Sequence, residues 1–121
     1  MSGSPVPVAI DHLWPGGDRT VKRRAKRGDP RAERCMEAMG RAFAMALSER
    51  GVACTGCKTV LHAPPEIAAM SIAHLYVNPP LPALVFPFCR ACATTEDRVK
   101  ALAHLAMLEL AGNGQGRRPD A

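Results

Sequence analysis

The chain has 121 residues, 47% of them hydrophobic, and a formal charge of +5; the length is one domain's worth. Its apolar share leans on alanine and includes only five aromatics, Trp14, Phe43, Tyr76, Phe86 and Phe88. A core built from such side chains is thin, which excludes a large self-sufficient core and calls for a staple, either a disulfide or a metal.

In chain order, the first residues lack a basic region followed by an apolar run, so no signal peptide is expected. Proline and charged residues interrupt every stretch of membrane-spanning length, so no membrane association is expected and the predicted location is cytoplasmic. There thiols stay reduced, and paired cysteines read as metal ligands before disulfides. Residues 1–28 are expected to be a flexible basic arm. Residues 19–34 carry eight basic side chains, Arg19, Lys22, Arg23, Arg24, Lys26, Arg27, Arg31 and Arg34. Of these, Lys22, Arg23, Arg24, Lys26, Arg27 and Arg31 are the candidate contacts to nucleic-acid phosphates. Against that reading, a charge run is also what a solvated face looks like, and few aromatics are available to stack on bases.

Residues 29–111 are expected to form the folded unit, and 112–121 a disordered tail. A helix is predicted over 30–50, with Asp29 as N-cap, Pro30 at the first helical position and Gly51 as a left-handed stop. Cys35, Met36, Met39, Phe43, Ala46 and Leu47 make its apolar stripe. A tight turn carries Cys54 and Cys57, with Gly56 supplying freedom within it. Residues 71–77 and 83–88 flank the breaker cluster at 78–82 and read as a β-hairpin, Pro87 placing the second strand at an edge. After Cys89 and Cys92 a second helix begins, with Thr94 as N-cap and Asp97 three residues on. Val99, Leu102, Ala103, Ala106 and Leu110 form its apolar face, widened by Leu105 and Leu108.

Two Cys-x-x-Cys units separated by 31 residues, from Cys57 to Cys89, narrow the chemistry. Each turn aims two sulfurs at one point, and two turns together give four thiolates about 2.3 Å from a tetrahedral zinc. Helix N–H groups just beyond the second pair favour the thiolate charge. The predicted cofactor is one structural Zn²⁺ held by Cys54, Cys57, Cys89 and Cys92. An iron–sulfur cluster would use the same four thiolates, and spacing alone does not distinguish it. With four protein ligands the shell is closed, so no catalytic water is expected. Four thiolates and one Zn²⁺ add a net −2, which lowers the charge to about +3.

The order of knuckle, hairpin, second knuckle and helix resembles the treble-clef and zinc-ribbon class of zinc fingers, over about half the chain. The fold class is therefore α+β, a small four-cysteine zinc-finger domain with an additional N-terminal helix. The resemblance implies an architecture, not one function. The function expected is that of a small, non-enzymatic, zinc-binding protein, a nucleic-acid-binding or regulatory module whose basic N-terminal arm contacts DNA or RNA, with no small-molecule substrate. The alternative is a protein–protein adaptor or inhibitor, or a homodimer through the apolar helix faces. Phage, mobile-element or bacterial origin is suggested only by the dominance of Arg over Lys with abundant Ala. A nuclease of the HNH type is the third reading, on the echo of His62 and Asn78 between the cysteine pairs. No second His or acidic residue stands directly before His62, where Leu61 lies, to complete that site. His12, His74 and His104 read as packing residues, and Cys35 as part of the core.

Overall fold

The computed structural model describes residues 8–14, 18–75 and 82–114. Strand β1 (Val8–Leu13) leads to helices α1 (Asp18–Lys26) and α2 (Pro30–Leu47). A short pair, β2 (Val52–Ala53) and β3 (Val60–Leu61), is followed by a single 3₁₀ turn (Pro64–Glu66). Strands β4 (Ala69–Leu75) and β5 (Leu84–Phe88) and helix α3 (Glu96–Gly114) complete the described chain. The main sheet is antiparallel in the order β1-β4-β5, and β2 and β3 pair separately.

Strand β4 is buried at six successive positions, Ala69 to His74, because both faces of the sheet are covered. The two-residue period of a strand sends alternate side chains to opposite layers. Met70 and Ile72 join Val21, Ala32, Cys35, Ala38, Met39 and Ala42 in a core beneath α1 and α2. Ala69 and Ala73 join Phe86, Phe88, Val99, Ala103, Cys54 and Cys92 in a second core beneath α3 and the cysteine turns. The molecule is thus helices on a sheet on a helix, with two thin cores sharing one strand.

Helix α2 is punctuated as expected at its start, where Asp29 Oδ1 accepts from the N–H groups of Arg31 (3.0 Å) and Ala32 (3.4 Å). Its inward face is not centred where the large side chains are. Ala32, Ala38, Ala42 and Ala46 are buried with Cys35 and Met39, whereas Leu47 is 69% exposed. Small residues let the helix axis approach the sheet closely, and the bulkier Met36 and Phe43 flank the contact. The helix also ends earlier than expected, at Ser48. Gly51 is left-handed (φ 67°) within the following turn. A Cβ at Gly51 would lie 2.7 Å from the Leu61 carbonyl oxygen, so the turn into β2 closes only around glycine.

The hairpin is present as β4 and β5, with β5 at the sheet edge. Most of its turn, 76–81, lies outside the described residues, as does Asn78. The expectation of an arm over 1–28 is corrected where the chain is described. Val8–Leu13 is an edge strand on β4, with Ile10 opposite Ala73 and His12 opposite Ser71. Residues 18–26 are a helix that docks on α2 through Val21 and Ala25. Residues 112–114, expected to open a tail, continue α3, and 115–121 lie outside the described residues. The N-cap of α3 is Thr95, not Thr94: its Oγ1 accepts from the N–H of Arg98 at 3.1 Å, the reach a cap needs. Leu105, Leu108 and Leu110 face outward, so the sheet covers a narrower strip of α3 than the pattern implies.

Candidate metal centre

The first cysteine turn is the loop joining β2 to β3. The Cys54 N–H donates to the Thr59 carbonyl (2.8 Å), and the Lys58 N–H returns to the Cys54 carbonyl (3.0 Å). Closing this loop places Lys58 at φ 69°, a left-handed conformation that costs a residue with a Cβ about 1–2 kcal/mol. The freedom expected at Gly56 is therefore needed at Lys58. What Gly56 supplies is space. A Cβ there would sit 2.7 Å from Cys92 Sγ and 3.0 Å from Leu102 Cδ1.

The second turn follows β5, with the N–H groups of Cys92 (3.1 Å) and Ala93 (2.9 Å) donating to the Cys89 carbonyl. Two backbone N–H groups lock the turns together: Thr55 N–H donates to the Pro87 carbonyl (2.8 Å), and Cys89 N–H to the side-chain sulfur Cys54 Sγ (3.3 Å). Ala93, Thr94 and Thr95 separate Cys92 from the first turn of α3, which carries Glu96 and Asp97. The thiolate-stabilising donors are thus amides of the turns, not the helix end.

All four sulfurs lie within 4.8 Å of one another, and Cys57 Sγ and Cys89 Sγ are 3.6 Å apart. That is far beyond a disulfide bond and close to the sulfur–sulfur separation of about 3.8 Å in a tetrahedron with 2.3 Å metal–sulfur bonds. Cys54 and Cys92 are buried, Cys89 is half-buried and Cys57 is exposed. Burial raises the Cys54 thiol, but amide donors from Cys57, Cys89 and Gly56 outweigh it and bring the group below its ordinary range. Hydrogen bonding to Thr59 brings Cys57 down to about 6. Burial pushes Cys89 up, and burial together with the other sulfurs pushes Cys92 up to about 12. Donors around Cys54 and Cys57 favour their charged forms, and a cation among the four sulfurs would offset the burial and mutual repulsion that oppose charge on Cys89 and Cys92. The donor set, the spacing and the charge therefore fit a metal ion.

The remaining candidates fall elsewhere. Lys22, Arg23, Arg24 and Lys26 lie exposed on α1, and Arg27 follows it. Arg31 is exposed at the start of α2, with its guanidinium on Asp11 through Nε–Oδ2 (2.8 Å) and Nη2–Oδ1 (2.9 Å). His62 is exposed, and among the described residues no cluster of three metal-binding side chains includes it. His104 is exposed. His12 Nδ1 meets Ser71 Oγ at 2.7 Å, a packing role. A feature without any spacing signal is the meeting of Asp11, Cys35 and His74 beneath α2.

Comparison with protein-family models, curated proteins and solved structures finds no match. Among the described residues no helix is long and apolar enough to cross a membrane. The chain is a small α+β protein whose four paired cysteines are placed to bind one metal ion.

The contact across the two turns makes Gly56→Ala a sensitive probe. Its methyl group would press on Cys92 Sγ and the Cys92 Cβ, neither of which can retreat without moving a ligand. The expected loss is about 1–3 kcal/mol of stability together with weaker metal retention. Chemical unfolding and chelator competition on the same variant check both, and an unchanged metal affinity would contradict this geometry.

Proposed function

We propose that this chain is a non-enzymatic, structural-zinc protein that binds the phosphate backbone of nucleic acid through helix α1. Zinc suits a closed set of four thiolates with no open position. The observation that carries the nucleic-acid reading is the composition and placement of α1. Five of its nine residues, Arg19, Lys22, Arg23, Arg24 and Lys26, are basic and exposed. Arg19, Lys22, Arg23 and Lys26 recur at three- and four-residue steps, so they share one helix face. Val21 and Ala25 hold the other face on α2, so the cations stand on a rigid element.

Four phosphate contacts give a log–log salt slope of about −3.6 on duplex DNA, or roughly a 100-fold loss of affinity between 50 and 200 mM salt. Replacing Lys22 and Lys26 by Gln is expected to flatten that slope by about 1.8 without altering the metal content. Binding titrations over a salt series are the test. No retention on DNA, RNA or heparin at low salt would defeat the proposal.

A second reading rests on a separate observation. Leu105, Leu108 and Leu110 stand about half exposed on α3, and such residues on a partnered face would support an adaptor or homodimer. A mass that rises with concentration, reversed by Leu108→Ser, would favour it over nucleic-acid binding.

A further inference from the structure

Three elements far apart in the sequence bring unlike donor groups to one point on the α2 face of the sheet. Asp11 comes from β1, Cys35 from α2 and His74 from β4. His74 Nε2 lies 2.8 Å from Asp11 Oδ2 and 3.5 Å from Cys35 Sγ, and Cys35 Sγ lies 3.4 Å from the same carboxylate oxygen. His74 and Cys35 are buried, and His74 Nδ1 has no hydrogen-bond partner.

This geometry does not make a nucleophile relay. In such a relay the imidazole meets the thiol with one nitrogen and the carboxylate with the other. Here both meet Nε2. Burial and the Asp11 charge also hold the Cys35 thiol up at about 12, the reverse of an activated cysteine.

Three donor atoms facing one another suit a different chemistry. For bonds of 2.0–2.3 Å to oxygen, nitrogen and sulfur, tetrahedral angles put neighbouring ligand atoms about 3.4–3.6 Å apart. Both contacts of Cys35 already have that separation. The Asp11–His74 contact needs to open by about half an ångström, the difference between a hydrogen bond and a shared metal. The proton balance is simple. Cys35 releases its proton to solvent, and the imidazole proton moves from Nε2 to the buried Nδ1, which has no acceptor, so the metal bonds must exceed the cost of that unpaired donor. Asp11 Oδ2 gives up its contact with Arg31 Nε (2.8 Å) and turns to the ion, while Oδ1 keeps Arg31 Nη2 (2.9 Å) as the outer partner that orients the ligating carboxylate.

We propose that Asp11, Cys35 and His74 form a second metal site, for a divalent cation of the zinc class. It is distinct from the four-cysteine centre and has three protein ligands. A fourth coordination position is therefore left for water or another ligand. A cavity of about 380 Å³ lined by Asp11 and Cys35, and also by Arg24 and Arg31, gives solvent a route to it.

The test titrates Zn²⁺, and separately Co²⁺, into zinc-replete full-length protein under reducing conditions. Wild type is expected to hold two metal ions per chain. Cys35→Ser and Asp11→Asn should each hold one, with the four-cysteine zinc retained. Co²⁺ in the second site should show visible d–d absorption with a thiolate charge-transfer band that vanishes in Cys35→Ser. Arg31→Gln should weaken the second ion by about 10–100-fold without abolishing it. Asp11 is only half-buried, so Asp11→Asn decides the matter if Cys35→Ser does not fold. Cys89→Ser distinguishes the two centres, because it should lose the other ion. A wild type saturating at one ion per chain, that ion being lost in Cys89→Ser, would overturn the proposal. So would a second ion bound equally well by Cys35→Ser and Asp11→Asn.

Discussion

Cys89→Ser is expected to lower metal content by one ion per chain and to loosen α3 while leaving the α1–α2 layer largely in place. The reasoning starts from the two separate cores. Cys54 and Cys92 are themselves buried members of the core under α3, with Phe88, Val99 and Ala103. Without the ion, that layer must bury thiols that repel one another as they ionise, and α3 keeps only a narrow inward strip on the sheet. Structural zinc supplies about 10–16 kcal/mol of binding free energy in isolated finger peptides, comparable to the whole stability of a domain. Part of the chain here has other support, so the expected loss is several kcal/mol, seen as a fall of at least about 10 °C in Tm. Hydrogen exchange should find the α3 amides deprotected, while those of α2 between Ala38 and Ala46 remain slow. Unchanged metal content, or uniform loss of protection in both layers, would count against this division of the fold. A brown, iron-containing protein would replace zinc by an iron–sulfur cluster at the same cysteines.

What the sequence displays, and what it hides, follows from the range of the interactions involved. The cysteine turns, the Asp29–Pro30 helix start and the β4–β5 hairpin are encoded by residues within a few positions of one another. The strand β1 is not. Both its faces are covered, so it lacks the apolar–polar alternation of a half-exposed strand. Its polar residues are half-buried against groups far away, His12 on Ser71 and Asp11 on His74, 59 and 63 positions along the chain. The same distance conceals the cluster of Asp11, Cys35 and His74, whose members have no characteristic spacing. Helix α1 reads as a charge run because only Val21 and Ala25 turn inward. On α2 the large apolar side chains suggest a stripe through Met36, Phe43 and Leu47, but the close approach to the sheet selects alanines instead.

That reliance on small residues sets the second large effect, expected for Phe88→Ala. Phe88 is wholly buried on the edge strand β5, opposite Ala69. Its carbonyl accepts from Ala68 N–H at 2.8 Å, and the next residue is the ligand Cys89. Removing a buried phenyl group costs about 3–5 kcal/mol, the value depending on how far the surroundings collapse into the hole. Here three of the core positions in the same layer are Ala69, Ala73 and Ala103, whose methyl groups cannot swing into the hole. The loss is therefore expected near the upper end of that range, a third or more of a typical domain's stability. Phe88→Leu retains most of the volume and should cost less than about 1.5 kcal/mol. Leu108→Ala, at an exposed position on α3, should stay within about 0.5 kcal/mol. Urea unfolding of the metal-loaded proteins measures all three, with the midpoint moving and the slope unchanged if only stability is altered. Chelator competition supplies the coupled readout: Phe88→Ala should surrender its four-cysteine metal more readily than Phe88→Leu. The phenyl group fixes the strand end from which Cys89 reaches the ion. Equal metal retention in the two variants would mean that the cysteine turns hold their geometry without the core beneath them.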